Sequence, residues 1–259
     1  MTLAAHSTLF PFSISPPIIA HRGASAYAPE NTLAAFIKAS QLGALWVEFD
    51  VMLTADGHPI VIHDETLERT TNGKGKVDEV SYEDLKTLDA GAWFSPFYQG
   101  ERIPLLKDVI ACLASYHLSA NVELKSLPGR EEQMVRQTFA MIEKYWPAGL
   151  IQPLFSSFSL PLLRQVRKHS ATCWIGLLLH EWDNHWKKLA EELNCVSIHV
   201  NHEVLTQERV KLIKSNKKML LAYTVNDVDR AVQLWQWGVD AVFTDYPDRL
   251  PLPRKQNKL

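Results

Sequence analysis

Short apolar, β-branched runs recur along this chain, and amphipathic segments of helical length fill most of the gaps between them. The runs fall at 18–21, 46–52, 59–63, 120–125, 150–155, 173–179, 196–200, 219–224 and 240–244. The helical patterns fall at 31–42, 105–117, 130–145, 160–169, 185–194, 206–216 and 227–237. Strands that alternate with helices build a parallel sheet with the helices covering it. Asn31 and Thr206 stand where N-caps belong, and Gly43 and Gly238 where helices stop. One connection breaks the alternation: only "LTADGH" separates 46–52 from 59–63. A parallel crossover needs about a dozen residues or more, so this pair is an antiparallel hairpin turning at Asp56-Gly57. Removing the return strand from the nine runs leaves eight parallel strands, which predicts an α/β fold, a closed (β/α)8 TIM barrel. The length of 259 residues is close to the ~250 typical of such barrels. The competing open, doubly wound sheet would need a Gly-rich phosphate turn that the chain lacks.

No linker or low-complexity stretch divides the chain, so one domain is expected over 18–250. The stretch 64–104 is too long for an ordinary loop and reads as a small insertion after the hairpin. It has turn signals at Asn72-Gly73 and Gly75 and a short helix capped by Ser81. Its four clustered aromatics, Trp93, Phe94, Phe97 and Tyr98, are expected to form the core of a cap over one barrel end. The tail "PRKQNKL" (253–259) is expected to fray.

Composition narrows the partners. A formal net charge of −2 carries no basic footprint, which argues against nucleic acid. Cys112, Cys173 and Cys195 form neither a disulfide framework nor a zinc pattern. The opening "MTLAAHSTLFPFSISPP" has no Lys or Arg and is broken by prolines, so it makes a poor signal peptide. No apolar run reaches the ~20 residues that span a bilayer. A cytoplasmic enzyme or binding protein without stable membrane association is expected. The sequence assigns no oligomeric state.

The chemistry concentrates at strand ends. In "WVEFDVM", Glu48 and Asp50 are two apart and share one face of a strand. Two carboxylates aimed together from a core strand repel each other and are costly to desolvate, so a positive partner should hold them. An exposed edge strand with solvated acids is the alternative, and the apolar flanks oppose it. If the hairpin turns at Asp56-Gly57, Asp50 and His63 fall near one another across the two strands, although a slip of one residue would send His63 to the other face. "SANVELKS" repeats the spacing with Glu123 and Lys125, either a third carboxylate beside an ammonium or a structural ion pair. His21-Arg22-Gly23 follows the first strand, either as an anion site or as an ordinary polar loop. Together these residues gather at the C-terminal ends of the strands, where barrel active sites are built. Three carboxylates without a thiolate suit Mg²⁺, Ca²⁺ or Mn²⁺ better than Zn²⁺. With two histidines, an Arg and a Lys beside them, the inventory fits phosphodiester chemistry: cations hold the phosphate, one His removes a proton and the other donates one.

The ordered set "HRGASAYAPENTLAAF", "VEFDVMLTADGHPIVIHDETLERTTNGKG", "VELK" and "AYTVND…GVDAVFTDYPD" resembles bacterial glycerophosphodiester phosphodiesterases, especially the cytoplasmic enzyme of enteric bacteria. The resemblance runs from about His21 to Pro247. It implies a (β/α)8 barrel with an insertion after the hairpin. It also implies hydrolysis of small-molecule glycerophosphodiesters, such as glycerophosphocholine and glycerophosphoethanolamine, to sn-glycerol 3-phosphate and an alcohol. Carried over, it makes His21 and His63 the acid–base pair, Glu48, Asp50 and Glu123 the ligands of one divalent cation, and Arg22 and Lys125 the phosphate ligands. Glu30 and Asn31 are expected to cap or brace the first loop, and Asn226, Thr244 and Asp245 to serve as hydrogen-bonding groups at the barrel end. Tyr223 stands where the family often has Trp, a change that should alter packing against the glycerol or the leaving alcohol. A phosphatidylinositol-specific phospholipase C shares the fold and the two-histidine logic but would need an interfacial apolar surface. A non-catalytic barrel that binds glycerophosphodiesters is the third reading, and the intact His pair opposes it.

Overall fold

The computed structural model describes residues 13–252. The tail 253–259 and most of the N-terminal stretch read above lie outside the described residues. In chain order, β1 (Ile18–Ala20) leads to α1 (Leu33–Gln41), β2 (Trp46–Leu53) and the hairpin return β3 (Pro59–Val61). The insertion carries α2 (Tyr82–Leu85). Then follow α3 (Leu106–Tyr116), β4 (Ser119–Leu124), α4 (Glu131–Tyr145), β5 (Leu154–Ser157), α5 (Leu160–His169) and β6 (Trp174–Leu179). The chain closes with α6 (Trp186–Glu192), β7 (Ser197–Asn201), α7 (Gln207–Ser215), β8 (Met219–Tyr223), α8 (Val228–Trp237) and β9 (Ala241–Thr244).

Eight strands pair in parallel in the order β1-β9-β8-β7-β6-β5-β4-β2, and the Ala20–Val47 pairing of β1 with β2 closes the ring. The protein is a (β/α)8 TIM barrel. β3 runs antiparallel on the far end of β2 and stays outside the ring. Closure explains the near-continuous apolar runs, because every strand is covered by helices outside and by side chains inside. Outward residues such as Val47, Phe49, Val122 and Phe155 pack on Phe36, Leu106, Leu113 and Leu234 of the helices. Inside, Ile19, Trp46, Leu154, Leu221 and Ala241 seal the lower end with Ile14. Above this plug the inward positions turn polar: Glu48, Asn121, Ser156 and Ser197, with His199, are all buried. Among the described residues, no helix is long and apolar enough to cross a membrane.

Local signals place most ends. Thr206 accepts from the Arg209 N–H at 3.3 Å and Ser81 from the Asp84 N–H at 3.3 Å, each capping its helix. Gly238 ends α8 with φ 109°, a left-handed conformation that glycine adopts at no steric cost. Asn31 is not the cap of α1. Thr32 takes that place, accepting from the Ala35 N–H, and Asn31 turns away with φ 59°. The run at 150–155 also shifts, because β5 starts only at Leu154. Pro153 precedes it and cannot donate to a ladder.

One further expectation is sharpened and another corrected. The hairpin pairs Val51 with Val61 and Met52 with Ile60, and the Ile62 N–H donates to the Asp50 carbonyl. Ile62, not His63, is therefore the direct partner of Asp50, although His63 still comes close enough to interact with the Asp50 charge, as expected. The insertion forms no aromatic core. Met52, Ile60 and Ile62 of the hairpin meet Leu67, Val77, Leu85, Ala90 and Ile103, and these aliphatics fill the space. Phe97 is left 86 % exposed and Trp93 40 % exposed, with Phe94 and Tyr98 half-buried in an edge-to-face chain.

Candidate active site

The parallel ladder of β2 and β4 builds the acidic centre. Its register sets Glu48 beside Asn121 and Asp50 beside Glu123. Inward-facing oxygens of Glu48, Asp50 and Glu123 thereby come within 4.8 Å of one another. Glu48 and Asp50 are 3 % and 1 % exposed. Burial, with the neighbouring carboxylates, raises the pKa of Glu48 well above the usual range and raises that of Glu123. Asp50 goes the other way: burial would raise it, but Lys125 and Arg22 hold it low. Lys125 Nζ lies 2.8 Å from Asp50 Oδ1 and 2.7 Å from Glu123 Oε1.

The His-Arg-Gly turn is built for close approach. Gly23 has φ 80°, and a Cβ there would sit 2.7 Å from the Ala35 carbonyl carbon and Cβ. Arg22 itself takes φ 54°, a sparsely populated conformation for a residue with a side chain. That geometry points the Arg22 N–H at Glu48 Oε2, 2.9 Å away, and sends the guanidinium over Asp50, with Nε 3.4 Å from Oδ2. Asn31 donates to Asp50 Oδ2 at 2.8 Å and accepts from the Asp50 N–H, so it braces the loop against β2.

Each histidine is anchored through Nδ1. His21 Nδ1 lies 2.7 Å from Asp245 Oδ1, and His63 Nδ1 lies 2.6 Å from Asp64 Oδ1. With Nδ1–H donated to a carboxylate, Nε2 is the acceptor of the neutral ring and is left for the cavity. Asp245 is held in turn by Asn226 Nδ2 at 2.6 Å, while Asn226 Oδ1 accepts from Thr244 and the Asp245 N–H. Burial would raise Asp245, but hydrogen bonds from His21, Asn226 and Ser25 bring its pKa down to about 2. Burial lowers the pKa of His63, against the pull of Asp50. His63 reaches this end because the chain leaves the ladder after Val61 and bends inward.

His21, Arg22, Glu48, His63, Glu123 and Lys125 line one cavity of about 350 Å³, with Phe158, Leu178, Tyr223 and Phe243 also among its lining residues. The structure thus brings all the candidate residues together around one space, Asp50 lying just beneath it. The Tyr223 hydroxyl donates to the Leu179 carbonyl at 2.8 Å, and its ring meets Phe158 edge-on. Sequence reasoning gave Asp64 and Arg69 no role and gave Asp245 only a general one. The signal for Asp64 was its place next to His63; nothing local marked the Asp245–His21 pair, which is 224 positions apart.

The donors suit a hard cation. Three carboxylates converge without thiolate or imidazole among them, and Glu48 Oε1 is buried with no hydrogen-bond partner. Glu48, Asp50 and Glu123 would hold such an ion.

Known proteins resemble this chain over most of its length. Residues 21–249 match the Glycerophosphoryl diester phosphodiesterase family. A glycerophosphodiester phosphodiesterase of Caldanaerobacter subterraneus is 38% identical over 242 residues, covering 90% of this chain and 95% of its own. One of Bacillus subtilis is 35% identical over 246 residues, covering 89% and 83%. A solved phosphodiesterase of Oleispira antarctica, in complex with the product sn-glycerol-3-phosphate, superposes with a TM-score of 0.89 at 38% identity, covering 91% of this chain and 95% of its own. The chain belongs to the glycerophosphoryl diester phosphodiesterase family of phosphoric diester hydrolases.

Proposed function

We propose that the protein hydrolyses glycerophosphodiesters, glycerophosphocholine and glycerophosphoethanolamine among them, to sn-glycerol 3-phosphate and the free alcohol. Residues 18–250 act as one unit, in the cytoplasm, with one divalent cation, Mg²⁺ or Ca²⁺ and in second place Mn²⁺. The observation that carries the reading is the single cavity lined by Glu48, Glu123, two cationic side chains and two carboxylate-anchored imidazoles, with Asp50 completing the carboxylate cluster beneath it. The Oleispira antarctica phosphodiesterase, similar over nearly its whole length, is solved with sn-glycerol-3-phosphate.

Glu48, Asp50 and Glu123 bind the cation, which when present withdraws charge from the phosphoryl oxygens. Arg22 and Lys125 bind the phosphate. The 2-hydroxyl of the glycerol attacks phosphorus as His21 takes its proton, and the P–O bond to the alcohol breaks as His63 protonates the departing oxygen. A cyclic glycerol phosphate results. Water then opens it with the roles exchanged: His63 takes the water proton and His21 returns one to the glycerol oxygen. Asp245 and Asp64 hold each ring so that Nε2 meets the substrate.

The test is release of glycerol 3-phosphate from glycerophosphocholine, assayed across several head groups with and without chelator. Release that stops on chelation and returns with Mg²⁺ or Ca²⁺ is expected. Full activity after dialysis against excess chelator would remove the cation from the scheme. Binding without release, or action only on lipid interfaces, would replace the reading with one of the two alternatives.

A further inference from the structure

Arg69 belongs to the insertion, not the barrel, and its side chain is 43% exposed. It nevertheless makes two forked contacts. Nε and Nη2 donate to Asp64 Oδ2 and Oδ1 at 2.6 and 2.9 Å. Nη1 and Nη2 donate to Glu30 Oε2 and Oε1 at 2.7 and 2.8 Å. Each of these carboxylates also holds a group that lines the cavity. Asp64 Oδ1 takes His63 Nδ1 at 2.6 Å, and Glu30 Oε1 takes Arg22 Nη1 at 2.7 Å. One rigid, planar guanidinium therefore spans from the imidazole to the arginine on the opposite loop.

We propose that Arg69 is a positioning residue, which fixes the His63 ring through Asp64 and the Arg22 guanidinium through Glu30, so that the insertion sets their mutual placement. The proposal rests on the reading that this cavity hydrolyses glycerophosphodiesters. Half-exposed ion pairs contribute little to stability, whereas forked carboxylate contacts restrict direction strongly. Without Arg69, Asp64 keeps one neighbour on one oxygen and can rotate about its side chain, and the ring of His63 turns with it. Glu30 would likewise follow Arg22 instead of holding it. Lysine cannot replace the fork, because one ammonium on a flexible stem does not reach both carboxylates in fixed geometry.

Arg69→Gln and Arg69→Lys are compared with wild type by steady-state kinetics on glycerophosphocholine and by the imidazole ¹⁵N signals of His63, assigned with His63→Gln. Both variants should lose about 10–100-fold in kcat/KM, the usual scale for groups that orient a ligand-binding shell. Both should displace or broaden the His63 signals while the melting temperature stays near wild type. Arg69→Gln combined with Asp64→Asn should lose less than the product of the two single losses, since both act on His63 through the same Asp64 contacts while only Arg69→Gln also frees Glu30. Losses that multiply in the double variant, unmoved His63 signals, or kcat/KM within about threefold of wild type would each overturn the proposal. If Arg69→Gln does not fold, Arg69→Lys carries the same readouts. Should wild type release no glycerol 3-phosphate, the functional reading fails and the His63 signals alone decide whether Arg69 positions the ring.

Discussion

Arg22 combines three constraints in one residue: a left-handed backbone, an N–H spent on Glu48 and a guanidinium shared between Glu30 and the cavity. The strain at φ 54° is offset by those contacts, of which the side-chain ones to Glu30 and Asp50 call for a planar multi-donor head. Arg22→Lys keeps the charge and loses the planar fork that the proposed function uses to hold phosphate. Its kcat/KM on glycerophosphocholine should fall by about 2–3 kcal/mol in transition-state stabilisation, the worth of hydrogen bonds to a charged group. A near-wild-type rate in that variant would place the guanidinium outside the chemistry. His63 offers a second residue-level test. If it protonates the departing alcohol, His63→Ala loses roughly 10²–10⁴-fold on the choline ester. It should lose far less on a p-nitrophenyl ester, whose leaving group needs little protonation, so equal losses on the two substrates would exclude the role.

The alternation of strands and helices made the barrel legible, and "LTADGH" made the hairpin legible because six residues are too few for a crossover. What escaped was decided by partners far away in sequence. The position of His63 depends on a bend after Val61, and the exposure of Trp93 and Phe97 on aliphatics that the hairpin brings to the cap. β6 and β7 show the same dependence at closer range. Gly176 in β6 lies against the His199 ring, and a Cβ there would meet Nε2 at 2.4 Å. His199 is fully buried, with Nε2 2.9 Å from Ser197 Oγ, and burial pushes its pKa down to about 3. In the unfolded chain that ring titrates near ~6.5. Between the two values the unfolded state binds the extra proton, so the contribution is complete above about pH 6.5 and is lost as pH falls toward about 3. Urea unfolding at pH 7.5 and pH 5 should show wild type weakened at the lower pH and His199→Gln weakened less. An equal drop in both would mean that His199 is not the group responsible. Gly176→Ala should cost about 1–3 kcal/mol at either pH, by overpacking against the ring.

At the scale of the whole barrel, the site is an assembly of strand positions. β1, β4 and β9 lead directly into His21, Lys125 and Asp245, β2 carries Glu48 and Asp50 and β4 carries Glu123 within their lengths, and the hairpin and insertion add His63, Asp64 and Arg69. The carboxylates were legible because strand periodicity puts Glu48 with Asp50, and Glu123 with Lys125, on the inner face. The pairing of Asp245 with His21 and the place of Arg69 were not, because those partnerships exist only once the ring closes and the insertion folds back. That assembly also bears on the reaction path. A cavity of about 350 Å³ is lined by charged groups together with Phe158, Leu178, Tyr223 and Phe243, so it can hold a small diester that has both a phosphate and carbon to place. In such a pose the glycerol 2-hydroxyl is tethered next to phosphorus, whereas an attacking water must first be captured and oriented. A well-oriented intramolecular nucleophile can reach effective molarities of about 10⁵–10⁸ M. The barrel therefore has only to supply a base near that hydroxyl and an acid near the opposite ester oxygen, which matches two anchored imidazoles on one cavity. The decisive substrate is the choline diester of 2-deoxyglycerol phosphate, identical except at the nucleophile. It should bind with a similar KM and turn over at least about 10³-fold more slowly, and the cyclic phosphate should be detectable by ³¹P NMR early in the reaction of the natural substrate. Hydrolysis of the deoxy analogue at the normal rate would rule out the cyclic route and leave direct attack by water, with His21 still the base but acting on a different oxygen.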